Sequence, residues 1–133
     1  MSQGLAMPRL VIRTPNAPQP IGPYSQGIMV DGFLFVSGQG AIDPKSGRMA
    51  GTDIQSQTRQ TLTNVRNIVE ASGMSMRDLV RVSIYLKNMK DFKEMNEVYK
   101  SFFSDAPPAR TTVQVELPLP EMLIEIDAVA SRE

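Results

Sequence analysis

Apolar and polar positions alternate with period two over several stretches, the signature of half-buried strands. Residues 79–87 set Val80, Val82, Ile84 and Leu86 against Arg81, Ser83, Tyr85 and Lys87. Residues 122–130 set Ile124, Ile126, Ala128 and Ala130 inward, with Glu125 and Asp127 opposite. After Pro107 and Pro108, Thr111, Val113, Val115 and Leu117 alternate with Arg110, Thr112, Gln114 and Glu116. Residues 26–30 and 33–39 flank Asp31-Gly32, a strong two-residue hairpin signal. A short strand is predicted over 10–13, before proline-broken chain over 14–22.

Two stretches carry helical spacing instead. Ile54, Thr58, Thr61, Leu62, Val65, Ile68 and Val69 form one stripe. Thr52 and Gln55 have the form of a capping box at its start, and Gly73 marks its end. Phe92, Met95, Val98, Tyr99, Phe102 and Phe103 predict one buried face on a second helix, capped by Asp91 with Glu94 three residues on. The order is β, β-hairpin, α, β, α, β, β. Two amphipathic helices then cover one face of a sheet of about six strands, an α+β sandwich of two layers. Pro118 and Pro120 predict a turn that joins the last two strands as an antiparallel hairpin. Alternation assigns the uncovered face Phe33, Phe35, Ser37, Arg81, Ser83, Tyr85, Arg110, Thr112, Gln114, Glu125 and Asp127. Such a mixed surface fits a partner subunit in a small closed oligomer. Residues 1–9 carry no pattern and read as a flexible segment, with Met7 a candidate native start, before a single domain over 10–133.

Composition narrows the chemistry. Of 133 residues none is Cys or His. That excludes disulfides, thiol nucleophiles, imidazole bases and zinc sites of Cys or His type. No Asp/Asn-rich calcium loop is visible, so no metal and no organic cofactor is expected. Formal net charge is zero, with no run of basic residues, which argues against a nucleic-acid partner. No stretch is apolar enough to span a bilayer and no signal segment is visible, which places the expected protein in the cytoplasm. What remains is a guanidinium at a strand mouth. Arg110 is suited to gripping a carboxylate through two parallel hydrogen bonds. Tyr24, Ser37, Arg110 and Glu125 are the polar groups with a claim on one site, and the hairpin puts Arg110 and Glu125 on the same face. Taken alone, that pair is equally compatible with a structural cross-strand contact.

The chain resembles the Rid family, also called YjgF-like or L-PSP-like. The motifs are Ile21-Gly22-Pro23-Tyr24-Ser25-Gln26-Gly27, Ser37-Gly38-Gln39, Asn96, Pro108-Ala109-Arg110-Thr111 and Ile124-Glu125-Ile126-Asp127-Ala128, in the family's order. The resemblance implies a chorismate-mutase-like fold and a homotrimer with clefts between subunits. It implies hydrolysis of reactive 2-imino acids, such as 2-iminopropanoate and 2-iminobutanoate, to 2-oxo acids and ammonia, without a cofactor. Arg110 matches the arginine that binds the substrate carboxylate, and Glu125 the carboxylate that positions or activates water. Tyr24, Ser37, Gly38 and Asn96 match cleft residues. Thr112 stands where some members carry a cysteine. Two other readings stay open: a 2-oxo acid binding or sensor module with the same cleft, and an endoribonuclease or translation inhibitor, as some relatives are described.

Overall fold

A computed structural model describes residues 8–132. The loose segment expected over 1–9 and the candidate start at Met7 fall, up to residue 7, outside the described residues. The strands are β1 (Leu10–Ile12), β2 (Gly27–Val30), β3 (Phe33–Gln39), β4 (Leu79–Leu86), β5 (Ala109–Gln114) and β6 (Ile124–Ser131). The helices are α1 (Ile54–Ala71), between β3 and β4, and α2 (Phe92–Tyr99), between β4 and β5. The six strands form one mixed sheet in the order β1-β2-β3-β6-β4-β5, and both helices pack on one face. The α+β sandwich expected from the pattern is the observed architecture.

Local signals held where the chemistry is local. Asp31 and Gly32 both adopt positive φ, 50° and 79°, as the tight turn between β2 and β3 requires. Gly73 ends α1 at φ 91°. The N-cap is displaced by one residue. Asp53, not Thr52, caps α1 by accepting from the Ser56 N–H at 2.9 Å. Gln55, the expected capping-box partner, instead donates to Glu94 of α2 at 2.9 Å. Asp91 is the N-cap of α2 but makes no side-chain capping bond there.

Three features of the sheet differ from expectation. The last two strands are not a hairpin. β5 follows α2 as the return of a β-α-β crossover and pairs parallel with β4, while β6 inserts antiparallel between β3 and β4. Burial explains the choice. Ile124, Ile126, Ala128 and Ala130 are fully or almost fully buried, which suits an inner strand, whereas β5 is half-exposed and takes the edge.

The second difference is the face of β5. Arg110 is paired with Val82 and Thr112 with Ile84, both buried under the helices. Paired residues share a face, so Arg110, Thr112 and Gln114 lie on the helix side, opposite to the expected parity. Thr111 and Val113 lie on the open face, where the Thr111 hydroxyl accepts from Arg81 at 2.7 Å. The third is a bulge between Leu79 and Arg81. It buries Leu79 and leaves Val80 46% exposed, where simple alternation had put Val80 inside.

The open face carries an apolar row that crosses the sheet through paired positions: Val11, Ile28, Phe35 and Val129. Phe33 and Phe35 are 44% and 46% exposed, with ring centroids 6.3 Å apart. Among the described residues, no helix is long and apolar enough to cross a membrane.

Candidate functional site

The predicted site residues fall into two groups on opposite sides of the sheet. Tyr24, Gly38 and Glu125 line one cleft of about 90 Å³, together with Ile21, Leu119 and Met122. Arg110 and Asn96 line a separate groove with Tyr99, Phe103 and Pro108. Arg110 and Glu125 are not cross-strand partners. β4 lies between their strands, and Glu125 is paired with Tyr85 while Arg110 is paired with Val82.

Three buried side-chain amides hold the walls of the first cleft. Gln26 donates to the carbonyls of Thr14, Ala17 and Pro18, and accepts from the Thr14 N–H at 2.8 Å. Asn64 of α1 donates to the carbonyls of Gly40 and Ile42 at 3.0 and 2.9 Å. Gln57 donates to the carbonyls of Gly51 and Glu121 and accepts from the Leu123 N–H. Loop backbone groups that would otherwise be buried unpaired are satisfied in this way, so the cleft is pre-formed. The sequence reading missed all three. Their signal was available: Gln57 and Asn64 interrupt or border the apolar stripe of α1, and a buried amide needs polar partners.

Within the cleft, Glu125 lies across Gly38. A β-carbon at residue 38 would overlap the Glu125 carboxylate, so the absence of a side chain there is what lets the carboxylate take this position. Glu125 is half-buried. Burial pushes its carboxyl above the ordinary glutamate range, and the negative charge of Asp127 adds to the effect. Asp127 itself accepts a 2.8 Å hydrogen bond from the Tyr85 hydroxyl. That bond, then burial, then the charge of Asp127, push the Tyr85 phenol up. The Tyr24 hydroxyl accepts from the Ile21 N–H at 3.3 Å and braces the loop at the cleft mouth. Ser37 is adjacent but engaged: its hydroxyl donates to the Ser25 carbonyl at 2.6 Å.

In the second groove, the Arg110 guanidinium carbon lies over the rings of Tyr99 and Phe92, 4.8 and 5.5 Å from their centroids. Among the described residues, no salt bridge or side-chain hydrogen bond engages this guanidinium. Among the described residues, Asn96 Oδ1 and the Tyr99 hydroxyl in this groove, and Thr112 Oγ1 two residues along β5 from Arg110, are buried without a hydrogen-bond partner. Phe92 and Tyr99 entered the sequence reading only as a core stripe. Their spacing of seven, with Asn96 between them, places all three on one side of α2, the side that meets Arg110.

Comparison with known proteins identifies the family. The model described as Endoribonuclease L-PSP matches residues 14–132, and the chain belongs to this family, that of the Rid or YjgF proteins. A RutC family protein of Pyrococcus horikoshii is 51% identical over 92% of this chain and 98% of its own length. The 2-iminobutanoate/2-iminopropanoate deaminase of Salmonella typhimurium is 41% identical over 91% of this chain and 96% of its own. The crystal structure of Escherichia coli TdcF with bound serine superposes with a TM-score of 0.89 at 39% identity, covering 93% of this chain and 99% of that one.

Proposed function

We propose that this chain is a hydrolytic deaminase of 2-imino acids, acting as a homotrimer in which two copies build each site. The observation that carries the assembly is the separation of Arg110 and Glu125. Their strands lie two spacings apart, roughly 10 Å, the two residues are offset by three positions along them, about another 10 Å, and their side chains are on opposite faces of the sheet. A small substrate cannot touch both within one protomer. A closed ring of copies joins the Arg110 groove of one to the Glu125 cleft of the next. The apolar row on the open face supports such a partner, since exposed contiguous apolar surface marks an interface.

The chemistry needs only the groups present. Arg110 receives the carboxylate through two parallel charged hydrogen bonds. The protonated imine carbon is attacked by water, which Glu125 orients and from which it accepts a proton. A carboxylate nearby also stabilises the positive charge on the imine nitrogen. Glu125 returns that proton to the nitrogen, the C–N bond breaks as the new hydroxyl on C2 gives its own proton to Glu125, and ammonia and the 2-oxo acid remain. The Salmonella relative named for this reaction supports the substrate class. The serine bound to TdcF supports a site that accepts a small amino-acid-like carboxylate.

The test is a coupled assay in which an amino acid oxidase or dehydratase generates the imine and ammonia release is followed. Added protein should accelerate ammonia release, and light scattering should give about three times the 14.7 kDa chain mass. Binding of 2-oxobutanoate without any acceleration would favour a sensor over an enzyme.

A further inference from the structure

We propose that Phe92 and Tyr99 are positioning residues that hold the Arg110 guanidinium ready for an anion. The inference rests on the reading of Arg110 as the substrate carboxylate's receptor. An arginine that must bind a carboxylate faces two physical difficulties. Its side chain is long and rotamer-rich, and ordering it on binding weakens the complex. Fixing it beforehand with an acidic partner would occupy its N–H donors and cancel its charge. The rings of α2 avoid both outcomes. Attraction between a cation and an aromatic face draws on the ring quadrupole, so it restrains the guanidinium while leaving the in-plane N–H groups free. The carbon at the centre of the guanidinium lies over two rings, and among the described residues no acidic or carbonyl partner competes.

The two rings differ in a way that separates positioning from structure. Tyr99 is 6% exposed and belongs to the hydrophobic core, whereas Phe92 is 38% exposed at the start of α2. Among the described residues the Tyr99 hydroxyl makes no hydrogen bond, and the contact with the Arg110 guanidinium is made by the ring.

Four variants test this: Phe92→Leu, Tyr99→Phe, Tyr99→Leu and Arg110→Ala. Phe92→Leu should melt like the wild type yet raise KM for the imino acid about threefold, with kcat little changed, on the usual scale of a partly exposed cation–ring contact. Tyr99→Leu should raise KM by about 30-fold, the scale of a desolvated contact, and Tyr99→Phe should keep the wild-type value. Nuclear magnetic relaxation of the Arg110 Nε–H group in ligand-free protein gives a second readout that does not depend on turnover. It should be rigid in the wild type and in Tyr99→Phe, and mobile in Phe92→Leu and Tyr99→Leu, with Arg110→Ala identifying the resonance. An active wild type with Phe92→Leu unchanged in both KM and Arg110 mobility would overturn the aromatic restraint. An inactive wild type that still shows a ring-dependent rigid Arg110 would overturn the deaminase reading and leave the restraint standing.

Discussion

Arg110 and Glu125 project from opposite faces of the same sheet, with β4 between their strands. Arg110 rests on aromatic rings of α2, and Glu125 lies over the backbone of Gly38. The acid-base group and the carboxylate receptor of the proposed reaction are thus built into separate half-sites of one chain.

Replacing Arg110 separates its geometry from its charge. Lysine keeps the charge but offers a point donor in place of a planar fork. Charged hydrogen bonds contribute about 1.5–3 kcal/mol each, so Arg110→Ala should lose nearly all of kcat/KM, and Arg110→Lys most of it. Arg110 is an edge-strand residue whose side chain has no hydrogen-bonded partner among the described residues, so both variants should melt close to the wild type. Ammonia release and a thermal melt on the same preparations check this, and titration with 2-oxobutanoate should show weak binding to the wild type and none to Arg110→Ala.

Glu125 predicts an acid limb in the rate. Its carboxyl is raised by burial and then by Asp127, and only the ionised form accepts a proton from water. Activity should therefore fall as pH drops through a value above the ordinary 4.5 of a glutamate. The stability effect has the opposite sense. A group whose folded pKa is raised binds its proton more tightly in the native state, so its ionisation destabilises the fold as pH rises between the unfolded and folded values. Glu125→Gln should be more stable than the wild type at neutral pH, and the difference should vanish below the ordinary glutamate range. Urea unfolding of both proteins across that range measures it.

Gly38→Ala probes the contact beneath that carboxylate. The added methyl occupies the space of the Glu125 carboxylate, and the flexible end of that side chain gives way before the backbone does. Turnover should drop by about 10²-fold as the general base is displaced, while the melting temperature changes by a few degrees at most. Equal kinetics for the variant and the wild type would separate Glu125's observed position from its role.

How much of this was legible along the chain depends on how local the cause is. The turn at Asp31 and Gly32, the stripe of α1 and its stop at Gly73 follow from neighbours in sequence, and the structure has them. The pairing of β5 depends on which strand is the more buried, a long-range competition that β6 wins with four inward apolar residues. The face of β5 was misjudged because Thr111 and Val113 look like core residues, whereas Arg110, Thr112 and Gln114 pack toward the helix side with polar and aromatic neighbours. The motif residues Tyr24, Gly38 and Glu125 do converge, and Asn96 meets Arg110, but no sequence pattern showed that these are two places.

The most direct test of a site shared between copies mixes two inactive variants. Arg110→Ala and Glu125→Gln are purified separately, confirmed inactive, then unfolded together in equal amounts and refolded. In a closed ring each site takes Arg110 from one copy and Glu125 from the next, so random assembly restores both groups at about a quarter of the sites. The account predicts ammonia release recovering to about a quarter of that of refolded wild type. Activity no greater than that of the two variants refolded separately would contradict it.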